Sequence, residues 1–357
     1  LHLSIRRQRQ MCIRDRDKIQ TYWKESFLEL VQLCKIKKDE KIIVLTETIS
    51  REINFQLLET ALKQANLAFT HIDIPTKPYK LEPIIKSTGA SNILDGENQY
   101  ISKLKKSDII FDLSKEGLMH SKQTKEILSN GTRIMNISDE HPEILSRLKP
   151  EKKLKNLVKD AVSKCRNASY MRITSDAGTD LKINMKKTNT VGVWGWTDRP
   201  GTLAHWPGGL VVSFPNSSCV NGRLVFQSGD INLTFKKYFD TEVIFDIEND
   251  FITKISGNGS DKKLIEKYLN SFGDKNAYAT SHVGWGLNNK SRYEALTMYD
   301  KSDLNGTELR ALSGCFLYSI GANEFANRYT DGHFDLPMMD CTIYLDDEMV
   351  VNKGEVI

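Results

Sequence analysis

Between Ile19 and Leu148, short apolar runs alternate with stretches whose apolar residues recur at helical spacing, and few folds satisfy that alternation. KIIVLTE (41–47) reads as a buried strand. Ser50–Asn66 then sets Ile53, Leu57, Leu58, Ala61 and Leu62 on one helical face, and AFTHIDI (68–74) returns as a strand. The cycle repeats in SDIIFDLS (107–114), a helix over Thr124–Asn130, and TRIMNIS (132–138). Strands interleaved with helices pack as a parallel sheet covered on both faces, so residues 17–150 are expected to form a Rossmann-like α/β domain. No GxGxxG or GxxxxGK follows any of these strands, which leaves nucleotide binding without support.

Residues 151–168 form a charged helical stretch, expected to link two domains. Beyond it the period changes from helical to two. MRITSDAGTDLKINM, TEVIFDIENDFITKISG and CTIYLDDEMVV alternate apolar and polar residues between Gly, Asn and Asp turns, as half-buried antiparallel strands do. Residues 169–357 are therefore read as a β-rich α+β domain.

The chain has 357 residues, 39% of them hydrophobic, which is enough for two cores. It carries 50 basic against 46 acidic side chains, but residues 1–16 hold five Arg and one Asp, so the remainder balances at 45 each. A neutral body argues against a nucleic-acid partner, which needs a basic face. No apolar run approaches the roughly 18 residues of a membrane span, so no membrane partner is expected either. Six cysteines without a CxxC pair fit neither a zinc ribbon nor a disulfide framework, and are expected as reduced, buried thiols of a cytoplasmic protein. The Arg-rich opening, with RQRQMCIRDR, resembles translated sequencing-adapter read-through. Residues 1–16 are accordingly expected to be a non-native or disordered extension, with native sequence from near Asp17.

The strongest local signal for chemistry is His333-Phe334-Asp335. In an extended segment, residues two apart share a face, so this imidazole and carboxylate would reach one metal ion together. Two His and one carboxylate are the usual holders of Fe(II) in non-haem oxygenases. A single His-x-Asp is also ordinary strand sequence, and an isolated His is ordinarily a structural residue. His282 is the candidate third ligand, followed by Gly284 and Gly286, whose backbone can approach a site closely. His205, in RPGTLAHWPGG, is either a loop residue capping a turn or an acid/base group. His120 follows the strand IIFDLS and precedes Ser121, a candidate helix N-cap, beyond the carboxyl end of a parallel strand where ligands gather. A helix N-terminus there would favour a neutral His120. Trp194, Trp196, Trp206 and Trp285 are candidate apolar walls for an aromatic ligand, or ordinary packing.

Four segments in order, GLMHSKQTKEIL, AHWPGG with FPN, SHVGWGLN, and HFDLPMMDCTIYLDDEMVVNKGEVI, are similar to the 2,5-dihydroxypyridine 5,6-dioxygenase family, itself related to the aminopeptidase T group. The similarity runs from about residue 20 to the C-terminus and is densest after Thr190. It implies Fe(II) on His282, His333 and Asp335, and active-site roles for His120 and His205. It also implies O2 as cosubstrate, ring opening between C5 and C6 to N-formylmaleamate, and a homo-oligomer, a hexamer. Where family members carry an acidic residue before the HWP motif, this chain has Val193, expected with Trp206 at the substrate; either another residue such as Asp198 or Thr197 takes over the acid's contact, or the preferred ring differs there. The rival on the same fold is a metallo-aminopeptidase. The peptidase relatives place Glu where this chain has Leu210 and His282, and two-ion hydrolysis needs bridging carboxylates. A non-catalytic metal- or aromatic-ligand-binding protein is the other alternative.

Overall fold

The computed structural model describes residues 18–78 and 90–357, so the expectation for residues 1–16 lies outside the described residues. The first sheet is wholly parallel, with spatial order Phe69–Ile74, Ile42–Glu47, Ile109–Asp112, Arg133–Ile137 and Leu203–Trp206. Every residue of the strands Ile42–Glu47, Ile109–Asp112 and Arg133–Ile137 is buried, which is why they read as continuous apolar runs. The helix Glu52–Gln64 buries the predicted stripe of Ile53, Leu57, Leu58, Ala61 and Leu62. The α/β class expected from the alternation is the class observed.

One strand departs from the division drawn on the sequence. Leu203–Trp206 comes from the β-rich half, yet it pairs in parallel with Arg133–Ile137, His205 lying opposite Asn136. Only four residues long, it carries too short a pattern to reveal which sheet it joins.

Apart from a two-stranded ribbon, Ile231–Asn232 with Lys237–Tyr238, the remaining strands build two antiparallel sheets. One has eight strands, including the hairpins Tyr170–Thr174/Asp180–Asn184, Val243–Glu248/Phe251–Gly257 and Thr342–Leu345/Glu348–Asn352. The other has five, ordered Arg328–Met338, Phe316–Asn323, Thr280–Gly286, Leu210–Pro215 and Thr188–Val193. A single large core cluster runs from Trp23 and Phe27 of the first helix to Val351. The helix Lys152–Asn167 packs Leu154, Val158, Ala161 and Cys165 into it. Cys34, Cys165, Cys219, Cys315 and Cys341 are free and buried, as expected of reduced thiols; Cys12 lies outside the described residues.

Two glycines show why the five-stranded sheet closes where it does. A Cβ on Gly284 would stand 1.9 Å from the Val211 carbonyl oxygen, and one on Gly192 would stand 2.5 Å from a Val158 methyl. Gly284 thus admits the neighbouring strand beside His282, and Gly192 lets the helix settle on the sheet. Gly284→Ala is expected to destabilise the protein by about 1–3 kcal/mol, since backbone must move to relieve the overlap. Thermal unfolding checks this, and an unchanged melting temperature would mean that the strands separate freely there.

Candidate active site

Three neighbouring strands of the five-stranded sheet bring the ligand candidates abreast. Register pairs His282 with Ser319, and Ser319 in turn with Asp335; His333, opposite Gly321, is two residues along from Asp335 on the same face. The strand Arg328–Met338 is extended throughout this stretch, so the same-face reading of His333 and Asp335 holds. His333 Nε2 lies 3.2 Å from Asp335 Oδ1, and His282 Nε2 lies 3.7 Å from the same oxygen. All three are buried.

His120 reaches this cluster from the parallel sheet. Its ring centroid is 4.5 Å from that of His333 and 5.6 Å from that of His282, and the three imidazoles offer donor nitrogens all within 4.8 Å of one another. The loop that delivers it is organised by Asp112 at the end of its strand. That carboxylate accepts from the Ser114 and Leu118 amides at 3.0 and 2.8 Å, and from Asn136 Nδ2 at 3.0 Å. The helix-cap reading of Ser121 is corrected: its hydroxyl donates to the Ser91 carbonyl at 2.6 Å, and the short helix starts only at Thr124. The charge beside His120 is instead Glu324, whose Oε2 lies 3.6 Å from His120 Nδ1.

Hydrogen bonding fixes the protonation of two imidazoles. His205 Nδ1 lies 2.7 Å from the Pro207 carbonyl, which can only accept, so Nδ1 carries the hydrogen and Nε2 keeps its lone pair. The Ser281 hydroxyl donates to the Ala322 carbonyl and therefore accepts from His282 Nδ1 at 3.1 Å, which again leaves Nε2 bare. Burial pushes His205 down to about 4 and holds His282 well below the usual imidazole range; His333 is lowered by burial too. Burial opposes ionisation of Asp335, but the Arg310 guanidinium and the neighbouring imidazoles outweigh it and hold this carboxyl well below its usual range. Arg310 Nε donates to Asp335 Oδ2 at 2.6 Å, and Ser319 Oγ donates to Oδ1. Glu324 is lowered as well, since the nearby His120 imidazole outweighs its burial.

The donor set therefore fits a divalent ion. It combines neutral imidazoles and an ionised carboxylate, and His333 Nδ1 and His120 Nδ1 are buried without a hydrogen-bond partner. Two donors each about 2.1 Å from one ion lie at most about 4.2 Å apart, which spans the separations measured to Asp335.

These groups open on a cavity of about 680 Å³ lined by His120, His205, His282 and Asp335. Its walls are mostly apolar: aliphatic Val191, Val193, Leu210 and Val212, and aromatic Phe214 with its ring 5.1 Å from that of His282. Of the four tryptophans expected as walls, Trp194 lines it and the others do not. Trp206 is corrected from substrate contact to core. It is fully buried, its indole N–H donates to the Leu148 carbonyl at 2.8 Å, and its ring meets Phe27 edge-on. Adjacent strand residues face opposite ways, so His205 toward the cavity puts Trp206 away from it. Neither substitute proposed for the missing acid lines the cavity either. Asp198 pairs with Lys35 and Lys155 at 3.2 and 3.4 Å, and the Thr197 hydroxyl bonds that of Thr202 at 2.5 Å. Arg310, Ser319, Glu324 and Phe214 were missed on the sequence, because only tertiary structure brings them to the histidines: Phe214 and Ser319 by strand register, Arg310 and Glu324 from short helical turns.

An α/β chain with a buried histidine–carboxylate cluster on an antiparallel sheet, met by a loop from the carboxyl end of a parallel strand and set beside an apolar cavity, is built as a small-molecule enzyme. Residues 22–357 match the family described as 2,5-dihydroxypyridine 5,6-dioxygenase, and the chain belongs to that family of enzymes. A curated relative of that name from Pseudomonas putida KT2440 is 30% identical over 337 residues, covering 93% of this chain and 95% of the relative. The solved structure of 2,5-dihydroxypyridine dioxygenase from the same organism superposes with a TM-score of 0.87 at 30% identity, over 94% of this chain and 96% of that one. Wild-type AmpT from Thermus thermophilus shares the fold, with a TM-score of 0.64 at 13% identity over 94% of this chain and 100% of its own.

Proposed function

We propose that this chain is an Fe(II)-dependent dioxygenase that opens 2,5-dihydroxypyridine between C5 and C6 to N-formylmaleamate, with His282, His333 and Asp335 as the iron ligands. The observation that carries it is the register of three strands, which sets two imidazoles and one carboxylate abreast at the head of an apolar cavity. Fe(II) held there would supply a path for electrons from the closed-shell ring to triplet O2, two partners that react slowly on their own.

The chain's own residues handle orientation and protons. His205 Nε2, unprotonated and facing the cavity, takes the proton of the ring hydroxyl. His120, paired with Glu324, gives or receives the second proton from the opposite sheet. The aliphatic walls exclude water from the ring. Arg310 occupies Asp335 Oδ2 and leaves Oδ1 toward the imidazoles. The aminopeptidase alternative is disfavoured on the same grounds: Leu210 contributes a hydrocarbon where a bridging carboxylate is needed, and Asp335 is already half engaged by Arg310. A hexamer in the cytoplasm is proposed on the family resemblance, and light scattering tests the oligomer.

Anaerobic reconstitution with Fe(II), followed by 2,5-dihydroxypyridine and O2, is expected to bleach the ring absorbance with one O2 consumed per ring. A chelator should stop the reaction, and ferrous iron rather than zinc should restore it. Peptide hydrolysis with two tightly bound zinc ions would overturn the proposal.

Val193 sits among Leu210, Val212, Phe214 and Leu317 and offers no hydrogen bond to a pyridine N–H. An unpaired buried polar group costs about 1–3 kcal/mol, so Val193→Glu is expected to lower KM for 2,5-dihydroxypyridine about tenfold while lowering the melting temperature. An unchanged or higher KM beside a fast wild type would show that another lining residue already meets the ring.

A further inference from the structure

The cavity extends beyond the histidines to the helix Lys152–Asn167. Lys159, Val162, Ser163, Arg166 and Asn167, at i, i+3, i+4, i+7 and i+8, are the stripe of that helix that lines it. Arg199 lines the same cavity, its guanidinium 5.2 Å above the Trp194 ring. All three cations are exposed. Arg166 donates to a neutral acceptor, the Thr190 carbonyl, at 2.9 and 3.3 Å. Among the described residues, no carboxylate pairs with Lys159, Arg166 or Arg199. The carboxylates that line the cavity belong to its histidine end: Asp335 on Arg310, Glu324 beside His120, and Glu116 four residues before His120. Between the two ends lies an apolar belt of Val191, Val193, Leu210 and Val212.

The cavity is thus polar and metal-binding in character at one end, apolar in the middle and basic at its mouth. Its volume of about 680 Å³ falls in the range occupied by drug-sized ligands, far more than a ring of eight heavy atoms fills. Valine in place of the family's acidic residue makes the belt continuous.

We propose that the preferred substrate is a dihydroxypyridine bearing, at C3 or C4, an apolar arm that ends in a carboxylate. This deepens the reaction assigned above and rests on it. The ring lies at the histidines, the arm runs along Val191, Val193 and Val212, and the carboxylate meets Lys159, Arg166 and Arg199. C3 and C4 are the ring carbons that are neither hydroxylated nor cleaved, so an arm there leaves the chemistry unobstructed. The basic mouth also draws anions in from solution, an effect that salt screens within a Debye length of about 8–10 Å.

The test is equilibrium binding under anaerobic conditions, read from Trp194 fluorescence, for a 4-(carboxypropyl)-2,5-dihydroxypyridine and its carboxamide. The carboxylate is expected to bind about tenfold more tightly than the amide at low salt, with the advantage shrinking between 50 and 200 mM salt (roughly as exposed ion pairs do). In the double variant Lys159→Gln/Arg199→Gln the ratio of the two Kd values should fall to about one. Arg166 is spared because its bonds to Thr190 tie the helix to the sheet. Equal binding of acid and amide in the wild type, or an advantage that survives the double variant, overturns the proposal. So does a double variant that weakens only inhibition by the ring-opened product, since the carboxylate recognised would then be the product's. Failure of the assigned reaction is separately visible: the carboxylate advantage would persist while no dihydroxypyridine, with or without an arm, was opened by the Fe(II)-loaded enzyme.

Discussion

Asp335→Asn and His333→Ala are each expected to abolish high-affinity iron binding and ring cleavage together. Asp335 Oδ1 lies 3.2 and 3.7 Å from the Nε2 atoms of the two candidate imidazoles, so losing its charge removes the only anionic donor in the set. Asparagine is the informative replacement. Arg310 Nε bonds Asp335 Oδ2 at 2.6 Å, and alanine would strip that buried guanidinium of this carboxylate at a cost of about 3–5 kcal/mol, confusing metal loss with misfolding. An amide oxygen still accepts from Arg310, so the Asn variant should fold and yet bind little iron. Elemental analysis and calorimetric iron titration of the apoprotein read the metal without relying on turnover. A fully iron-loaded Asp335→Asn enzyme would remove Asp335 from the ligand set. His120→Ala is the companion measurement, because His120 stands within 4.8 Å of both other imidazoles: it should keep its iron and lose turnover. Loss of iron there would make His120 a ligand.

His205→Ala is expected to keep iron and lose about 10²–10⁴-fold in turnover, the usual contribution of a positioned acid/base group. Its tautomer and its depressed acidity set the pH behaviour. With a folded value of about 4, His205 is unprotonated across the neutral range, so its acid limb in kcat/KM should fall near pH 4 rather than near 6.5. Stability carries the same signature. A buried imidazole whose folded value lies below its unfolded 6.5 contributes fully above pH 6.5. That contribution is lost as pH falls toward 4, because the unfolded chain binds the proton first. The loss amounts to about 3 kcal/mol by the conversion of 1.36 kcal/mol per unit, and burial of His282 and His333 adds to it in the same direction. Urea unfolding of the apoprotein between pH 4 and 7 should show a shallower slope for His205→Gln than for the wild type. Identical slopes would mean that His205 is charged in the folded state.

Most of the site was legible in the chain. His333 and Asp335 are two apart in a segment with strand character, and period two alone puts them on one face. His120 follows a parallel strand, and the general rule for such sheets places its loop at the ligand end. Period two also separates His205 from Trp206. His205 and Trp206 are neighbours on one strand, so they cannot both face the substrate, and Trp206 lies in the core against Phe27.

What the chain determined by itself was therefore local: which segments are strands or helices, which faces are apolar, and which side chains on one strand travel together. Backbone sterics and hydrophobic period act within a few residues, and every sequence of this pattern expresses them. Tertiary structure decided the rest: that Leu203–Trp206 closes the parallel sheet, that Ser319 stands between His282 and Asp335, and that Arg310 and Glu324 flank them. Those contacts depend on which strands pair, in what register, and where the connecting turns land, and register is chosen by the burial of whole sheet faces across segments far apart in the chain.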